Sequence, residues 1–252
     1  MRQDQIVRIG HKVHRPIGPW TPQVHLFLQY LRKKGFLQTP EVFGFDKKGR
    51  EVLSFLEGEV YNDPLAEVVR STEVLVSTAQ LLRNYHDATQ GFLQEKTFNK
   101  KGWQFDAREP MEVICHADFA PYNIVLKEDK AVGIIDFDTS HPGSRLWDIS
   151  YALYRWAPLM NPGNPDRWGA LDDQIKRAKL FCDAYGLAKD QRQSLGEMIV
   201  KRLEVLVDFM ITQAQQGHEG YQSNLEAGHH FLYLADLEYI KDHKLEITRR
   251  FI

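Results

Sequence analysis

One run of this chain carries most of the side chains that could do chemistry. In Val113-Ile114-Cys115-His116-Ala117-Asp118-Phe119-Ala120-Pro121-Tyr122-Asn123-Ile124-Val125-Leu126, an imidazole, a carboxylate and an amide follow an apolar stretch. The run Gly133-Ile134-Ile135-Asp136-Phe137-Asp138 adds two more carboxylates. An amide oxygen and a carboxylate are donors that suit a hard cation such as Mg²⁺. A further carboxylate beside them can take a proton from a hydroxyl nucleophile. Asp118, Asn123 and Asp136 form the candidate set, against the plainer reading of three polar residues that cap turns.

The flanking elements show how such a set would converge. Glu112–Cys115 reads as an apolar strand that delivers His116 and Asp118 into a loop. A hairpin turning at Lys127–Lys130 returns the chain, so that Asp136 leaves a second apolar strand over Ala131–Ile135. Asp118, Asn123 and Asp136 should therefore meet at one end of paired strands.

The pattern H-x-D-x-x-x-x-N, followed by an apolar strand and Asp-Phe, resembles the catalytic loop and metal-binding aspartate of the protein-kinase-like fold. It is closer still to the aminoglycoside phosphotransferase (phosphotransferase enzyme) family, whose usual loop reads H-G-D-x-x-x-x-N before I-D-W/F. Leu81-Leu82-Arg83-Asn84-Tyr85-His86 resembles that family's leucine–histidine helix end, and Leu53-Ser54-Phe55-Leu56-Glu57-Gly58 its hinge strand. Leu146-Trp147-Asp148-Ile149 resembles a later Asp-Leu element. The resemblance runs along nearly the whole chain and is sharpest from about residue 114 to 150.

What the resemblance implies is an α+β, two-lobed protein-kinase-like fold. Residues 1–57 would form a small, reduced β-rich lobe, and residues 58–252 a large, mostly helical lobe with the catalytic loop and metal site. The activity would be transfer of the γ-phosphoryl group of ATP or GTP, with Mg²⁺, to the hydroxyl of a small-molecule acceptor. Asp118 would orient or deprotonate that hydroxyl, while Asn123 and Asp136 would hold the metal. His116 would brace the loop, and Asp148 would anchor it by accepting backbone N–H groups. Asp138 stands where kinases have glycine, as a second metal ligand or a turn acid. Phe55 and Glu57, in the hinge-like segment, would contact the nucleotide.

Departures from the family pattern are expected to matter. Ala117, Ala120 and Tyr122 replace residues that are commonly Gly, His and Gly, so the acceptor pocket should differ. There is no G-x-G-x-x-G and no strand of the V-A-I-K type. Strand alternation puts Arg15 on the same face as Val13 and makes it the candidate for the missing lysine's phosphate grip. The helix over Pro22–Arg32 contains no acid to pair with it. Two other functions stay open on these residues: a catalytically silent nucleotide-binding regulator, or a metal-dependent hydrolase using His116, Asp118, Asp136 and Asp138 as ligands.

The rest of the chain supplies the frame. Short strands are predicted at Ile6–Ile9, Lys12–Arg15, Glu41–Phe45 and Glu51–Leu56, with a helix from Thr21-Pro22 ending at Gly35. Helices follow from Asp63-Pro64 to about His86, over Asp166–Tyr185, over Asp190–Gln216 and from about Ser223, with a loop over Gly91–Pro110. Lys plus Arg is 32 and Asp plus Glu 34, a net charge of −2 that does not fit a dedicated nucleic-acid binder. No apolar run approaches the roughly 20 residues of a membrane span, and the N-terminus reads as no signal segment. With only Cys115 and Cys182 there is no disulfide framework, and a cytoplasmic setting is expected. His218, His229, His230 and His243 match no zinc spacing and read as a solvated helix face. Trp147, Tyr154 and Trp156 read as core.

Overall fold

In the computed structural model, which describes residues 6–62 and 66–252, the first elements are β1 (Val7–Ile9) and β2 (Lys12–Arg15), joined through Gly10 at φ +61°. Helix α1 (Thr21–Lys33) follows, with Pro22 in its first turn, where a missing N–H costs nothing. It buries Val24, Phe27, Leu28 and Leu31 at helical spacing. Strands β3 (Val42–Phe45) and β4 (Glu51–Ser54) complete an antiparallel sheet in the order β1-β2-β4-β3. In this order β2 lies against β4, and Arg15 stands directly opposite Glu51.

A connector then leads to the larger, helical part. At Gly58 a Cβ would sit 2.5 Å from the Leu126 carbonyl oxygen, so only glycine lets the connector pass while Glu59 bridges to Leu126. The predicted helix from Asp63-Pro64 is in fact two helices, α2 (Glu67–Arg70) and α3 (Thr72–Thr89). Ser71 divides them and caps α3 by accepting from the Val74 N–H at 3.2 Å. Asp63 and Pro64 themselves lie outside the described residues. Within the predicted loop over 91–110 there is a short 3₁₀ turn, Gln90–Gln94, and otherwise only turns and bends.

Strand β5 (Val113–Cys115) pairs with β8 (His141–Gly143), and β6 (Ile124–Lys127) pairs with β7 (Lys130–Ile134) in the expected hairpin. The remaining chain is helical: α4 (Arg145–Trp156), α5 (Leu171–Tyr185), α6 (Lys189–Arg192), α7 (Leu195–Gln215), α8 (Glu219–Glu226) and α9 (His229–Phe251). The predicted single helices over 190–216 and from 223 are each broken, the second by Gly228 at φ +76°. Periodicity runs through such breaks because both segments face the same core. Among the described residues no helix is long and apolar enough to cross a membrane.

The core joins both parts directly. Phe27 of α1 meets Tyr85 of α3 and Phe137 at centroid distances of 6.2 and 6.3 Å, and Phe137 meets His116 at 5.0 Å. These aromatics couple the sheet-bearing part to the loop that carries Asp118.

Candidate active site

The loop after β5 is held by one buried carboxylate. Asp148, fully buried on α4, accepts the N–H of His116 at 2.7 Å, the N–H of Ala117 at 2.8 Å, and His86 Nε2–H at 3.0 Å. Burial alone would raise its pKa, but the His86 hydrogen bond and the other donors hold it below the ordinary carboxylate range. Burial keeps the His86 imidazole neutral, and its Nδ1 accepts from Tyr185 Oη at 2.8 Å. Arg145 in turn donates to Tyr185 Oη at 3.0 Å. Together they hold Ala117 at φ +66°, a left-handed conformation that glycine takes freely and other residues take at a cost of about 1–2 kcal/mol. Glycine is the family's usual residue here.

His116 is buried with both ring nitrogens engaged: Nε2–H donates to the Ile135 carbonyl at 2.9 Å, and Nδ1 accepts from the Asp118 N–H at 3.3 Å. Asp118 is partly exposed. Its Oδ1 accepts from Tyr122 Oη at 2.7 Å, and its Oδ2 from Asn123 Nδ2 at 2.9 Å. Burial and the Asp118 charge push the Tyr122 phenol well up, so it stays a donor. Asp118 and Tyr122 line a cavity of about 370 Å³ walled by α4, α7 and residues from Phe105 to Arg108. The cavity also takes in His229, expected to be a solvated face, and one side of Trp147. Trp147, Trp156 and Tyr154 are buried in hydrophobic clusters, as expected of core residues.

On the other side of Asn123 lies a charge cluster. Asp136, at φ +59° and about half exposed, accepts from Arg15 Nη1 at 2.7 Å. Arg15 also donates through Nη2 to Asp138 and through Nε to Glu51 at 2.6 Å. With its side chain 13 % exposed, Arg15 is largely withdrawn from solvent. Burial pulls its pKa down, but Asp136, Asp138 and Glu51 more than offset that and hold it above the ordinary arginine value. Asp138 moves up, through burial first and repulsion by Asp136, with Arg15 opposing.

Glu51 was not singled out in the sequence. It is 1 % exposed, and its second oxygen accepts from His25 Nε2 of α1 at 2.8 Å. Helix α1 supplies no acid for Arg15, so the acid comes from the neighbouring strand and the helix supplies an imidazole instead. Strand pairing β2 with β4 is the signal that could have found it. Arg202, Arg108 and Tyr151 at the cavity were missed as well, since they come from segments far apart in sequence.

As metal ligands, the donors fit a hard cation. Asn123 spends its Nδ2 on Asp118, which leaves Oδ1 uncommitted, and Asp136 keeps oxygen exposed to solvent. One amide and one or two carboxylates are what Mg²⁺ takes from a protein when phosphates and water complete its shell. Among the described residues no group of three or more His, Cys, Asp or Glu side chains gathers to hold a metal, and His116 has no nitrogen to spare. The ligand set of the hydrolase alternative is therefore not assembled. Phe55 and Glu57 are both engaged by Arg8, whose guanidinium lies 3.5 Å from the Phe55 ring centroid and 2.7 Å from Glu57 Oε1.

Comparison with known proteins matches residues 101–188 to the phosphotransferase enzyme family. The trifolitoxin immunity protein of Rhizobium leguminosarum bv. trifolii is 32% identical over 225 residues, spanning 87% of this chain and 83% of the relative. The solved amicoumacin kinase hAmiN, in complex with AMP-PNP, Ca²⁺ and Ami, superposes with a TM-score of 0.62 at 11% identity. That match covers 96% of this chain and 89% of the other. The aminoglycoside phosphotransferase of Alicyclobacillus acidocaldarius gives 0.58 at 13% identity over 98% and 92%. At such identities the likeness is one of fold: the α+β, two-lobed protein-kinase-like arrangement expected from the sequence.

Proposed function

Because this chain belongs to the phosphotransferase enzyme family, we propose that it transfers the γ-phosphoryl group of ATP or GTP to a hydroxyl of a small molecule, with Mg²⁺. One observation carries the reading. Asp118 lines the cavity and accepts from Asn123 through Oδ2, while Asn123 immediately precedes β6 and Asp136 comes just after β7, the two strands of one hairpin. A carboxylate beside the cavity and a pair of metal donors thus meet at one end of that hairpin.

In the reaction, the acceptor hydroxyl oxygen forms a bond to the γ-phosphorus as the bond from that phosphorus to the bridging oxygen breaks. The nucleoside diphosphate leaves with the electron pair, and the hydroxyl proton passes to Asp118. Tyr122 and Asn123 fix the Asp118 carboxylate by hydrogen bonds to its two oxygens. Asn123 Oδ1 and Asp136 would hold the metal, with Asp138 beside them, and the metal when bound would neutralise charge on the phosphates. Arg15 is placed to exchange a carboxylate for a phosphate oxygen, and the segment of Phe55 and Glu57 would border the nucleotide. Catalysis then rests on positioning and charge neutralisation. The cytoplasm, where both nucleotides are abundant, is the setting we propose. The relative's name, an immunity protein, supports extending the reading to a protective role in which a toxic hydroxyl compound is phosphorylated.

A second reading, a nucleotide-binding regulator without turnover, is favoured by one feature: Arg15 already ties up Asp136 and Asp138. The test is Asp118→Asn, assayed by nucleotide consumption across a panel of hydroxyl compounds. The amide oxygen can accept from Asn123 and the amide nitrogen can donate to Tyr122 Oη, so the fold should survive. General-base contributions are about 10²–10⁴-fold, and turnover should fall by that order with nucleotide binding kept. Nucleotide binding without turnover in the wild type across the panel would favour the regulator.

A further inference from the structure

Starting from that phosphotransferase reading, we propose that the acceptor bound beside Asp118 is an anion: a hydroxyl compound carrying a carboxylate or similar group on a flat apolar body, not a polycationic aminoglycoside or an amino alcohol. The cavity is the basis. Asp118 is the one carboxylate among its lining residues, whereas Arg108 and Arg202 both line it. Among the described residues neither arginine has a carboxylate within salt-bridge distance. Both guanidinium groups lie over the Trp147 ring, at 4.1 and 5.2 Å from its centroid, and Arg202 is also 4.5 Å from that of Tyr151.

Two like charges close together, one buried and one half-buried, are costly unless an opposite charge joins them. Burial, with repulsion by Arg202 second, holds the Arg108 pKa below the ordinary arginine value. A cationic acceptor would add a third positive charge, whereas an anionic one would offset one of the two and relieve their repulsion. Arg202 is 8 % exposed and donates through Nη2 to the Ala117 carbonyl at 2.7 Å. It is therefore fixed one residue from Asp118, so an anionic group gripped there sets the rest of the acceptor against the base.

The polar inventory agrees. Among the described residues, Arg202 Nε, Trp147 Nε1 and His141 Nε2 are buried without a hydrogen-bond partner. His141 Nδ1 donates to the Thr139 carbonyl at 2.9 Å, and burial pushes this imidazole down to about 4. Its Nε2 is then an acceptor, suited to a hydroxyl or amide N–H of a ligand. Rings of Phe105 and Phe209, 4.7 Å apart at their centroids, give the cavity an aromatic wall that favours a planar guest.

The experiment uses three matched probes in calorimetry on the full chain: N-benzoyl-L-serine, its neutral amide N-benzoyl-L-serinamide, and the cation N-benzylethanolamine. Each is titrated alone and with AMP-PNP and Mg²⁺. The anion should bind at least about tenfold tighter than the amide, since desolvated charge pairs are worth more than that factor, and the cation should bind weakest. Arg108→Met should bring anion and amide to near equality. Arg202→Met should do the same, and because Arg202 also holds Ala117, the half-buried Arg108 variant decides the matter if Arg202→Met does not fold. Equal binding of anion and amide, tighter binding of the cation, no binding of the anion at millimolar concentration, or an anion preference that survives Arg108→Met each overturns the proposal. An Arg108-dependent anion preference in a chain that does not bind AMP-PNP sustains the anion site and overturns the kinase reading. Loss of the preference with AMP-PNP binding intact does the reverse.

Discussion

Replacing Asp148 by asparagine tests whether one buried carboxylate sets the loop that carries Asp118. The wild-type side chain takes three N–H donors, two on Oδ2 from His116 and His86 and one on Oδ1 from Ala117. An amide has one oxygen, so its best orientation keeps the two Oδ2 bonds and turns its own NH₂ toward the Ala117 N–H. Two donors then face each other where no solvent reaches, at about 1–3 kcal/mol for each unsatisfied group. The two surviving bonds also lose their charge, worth about 1 kcal/mol apiece. The sum is about 4–8 kcal/mol, at or above the range found when one partner of a buried pair is removed. For a chain of this size the melting temperature should fall by roughly 10–30 °C. Thermal and urea melts would measure the loss. Hydrogen exchange at His116 and Ala117 would show whether the loop opens ahead of the rest. A loss under about 1 kcal/mol, or unchanged protection of those two amides, would refute the view that Asp148 holds the loop.

Three further outcomes follow from neighbouring geometry. Ala117→Val puts a β-branched residue at φ +66° and should cost about 2 kcal/mol or more, whereas Ala117→Gly should stay within about 1 kcal/mol of wild type; melts of the two variants check the contrast. Arg15→Met should cost about 3–5 kcal/mol, because Glu51 stays buried with His25 alone and Asp136 and Asp138 lose the charge between them; urea unfolding measures it, and a loss under 1 kcal/mol would show that the cluster is solvent-screened. His141 titrates near 4 in the folded chain against about 6.5 unfolded, so the unfolded chain takes up the proton first as pH falls. Its contribution is then complete above about pH 6.5 and lost toward pH 4, roughly 3 kcal/mol in all. Stability curves of wild type and His141→Gln should accordingly converge by about that amount over this window, and parallel curves would show that the ring is not buried neutral.

Much of this molecule is legible in its sequence because the information is local. The hairpin that brings Asp136 back toward Asn123 follows from an apolar run, a charged turn and a second apolar run, and spacing alone places Asp118 two residues after His116. The helix that Pro22 opens and Gly35 ends is likewise written in neighbouring residues, since Pro and Gly act on the φ of their own positions. Ala117 marks a limit of such reading. Its departure from the usual glycine is visible in the sequence, but the left-handed backbone it must adopt is imposed by Asp148 of α4 and, behind it, by His86 of α3, Tyr185 of α5 and Arg145 of α4 itself. Helix breaks at Ser71 and Gly228 are missed for a related reason: the apolar period continues across them because both halves pack on one core.

What only the tertiary structure decided is which charges meet. Helix α1 has no acid for Arg15, and nothing in the nearby sequence says that Glu51 will serve; the antiparallel register of β2 with β4 puts the two face to face, and His25 completes the pair from the helix. The cavity beside Asp118 is the same case on a larger scale. Arg108, Trp147, Tyr151 and Arg202 come from a loop and two helices whose packing, and not their spacing, sets two guanidinium groups beside Asp118. Coulomb and stacking interactions act through space, and residues distant in sequence acquire them only once the chain has closed on its core.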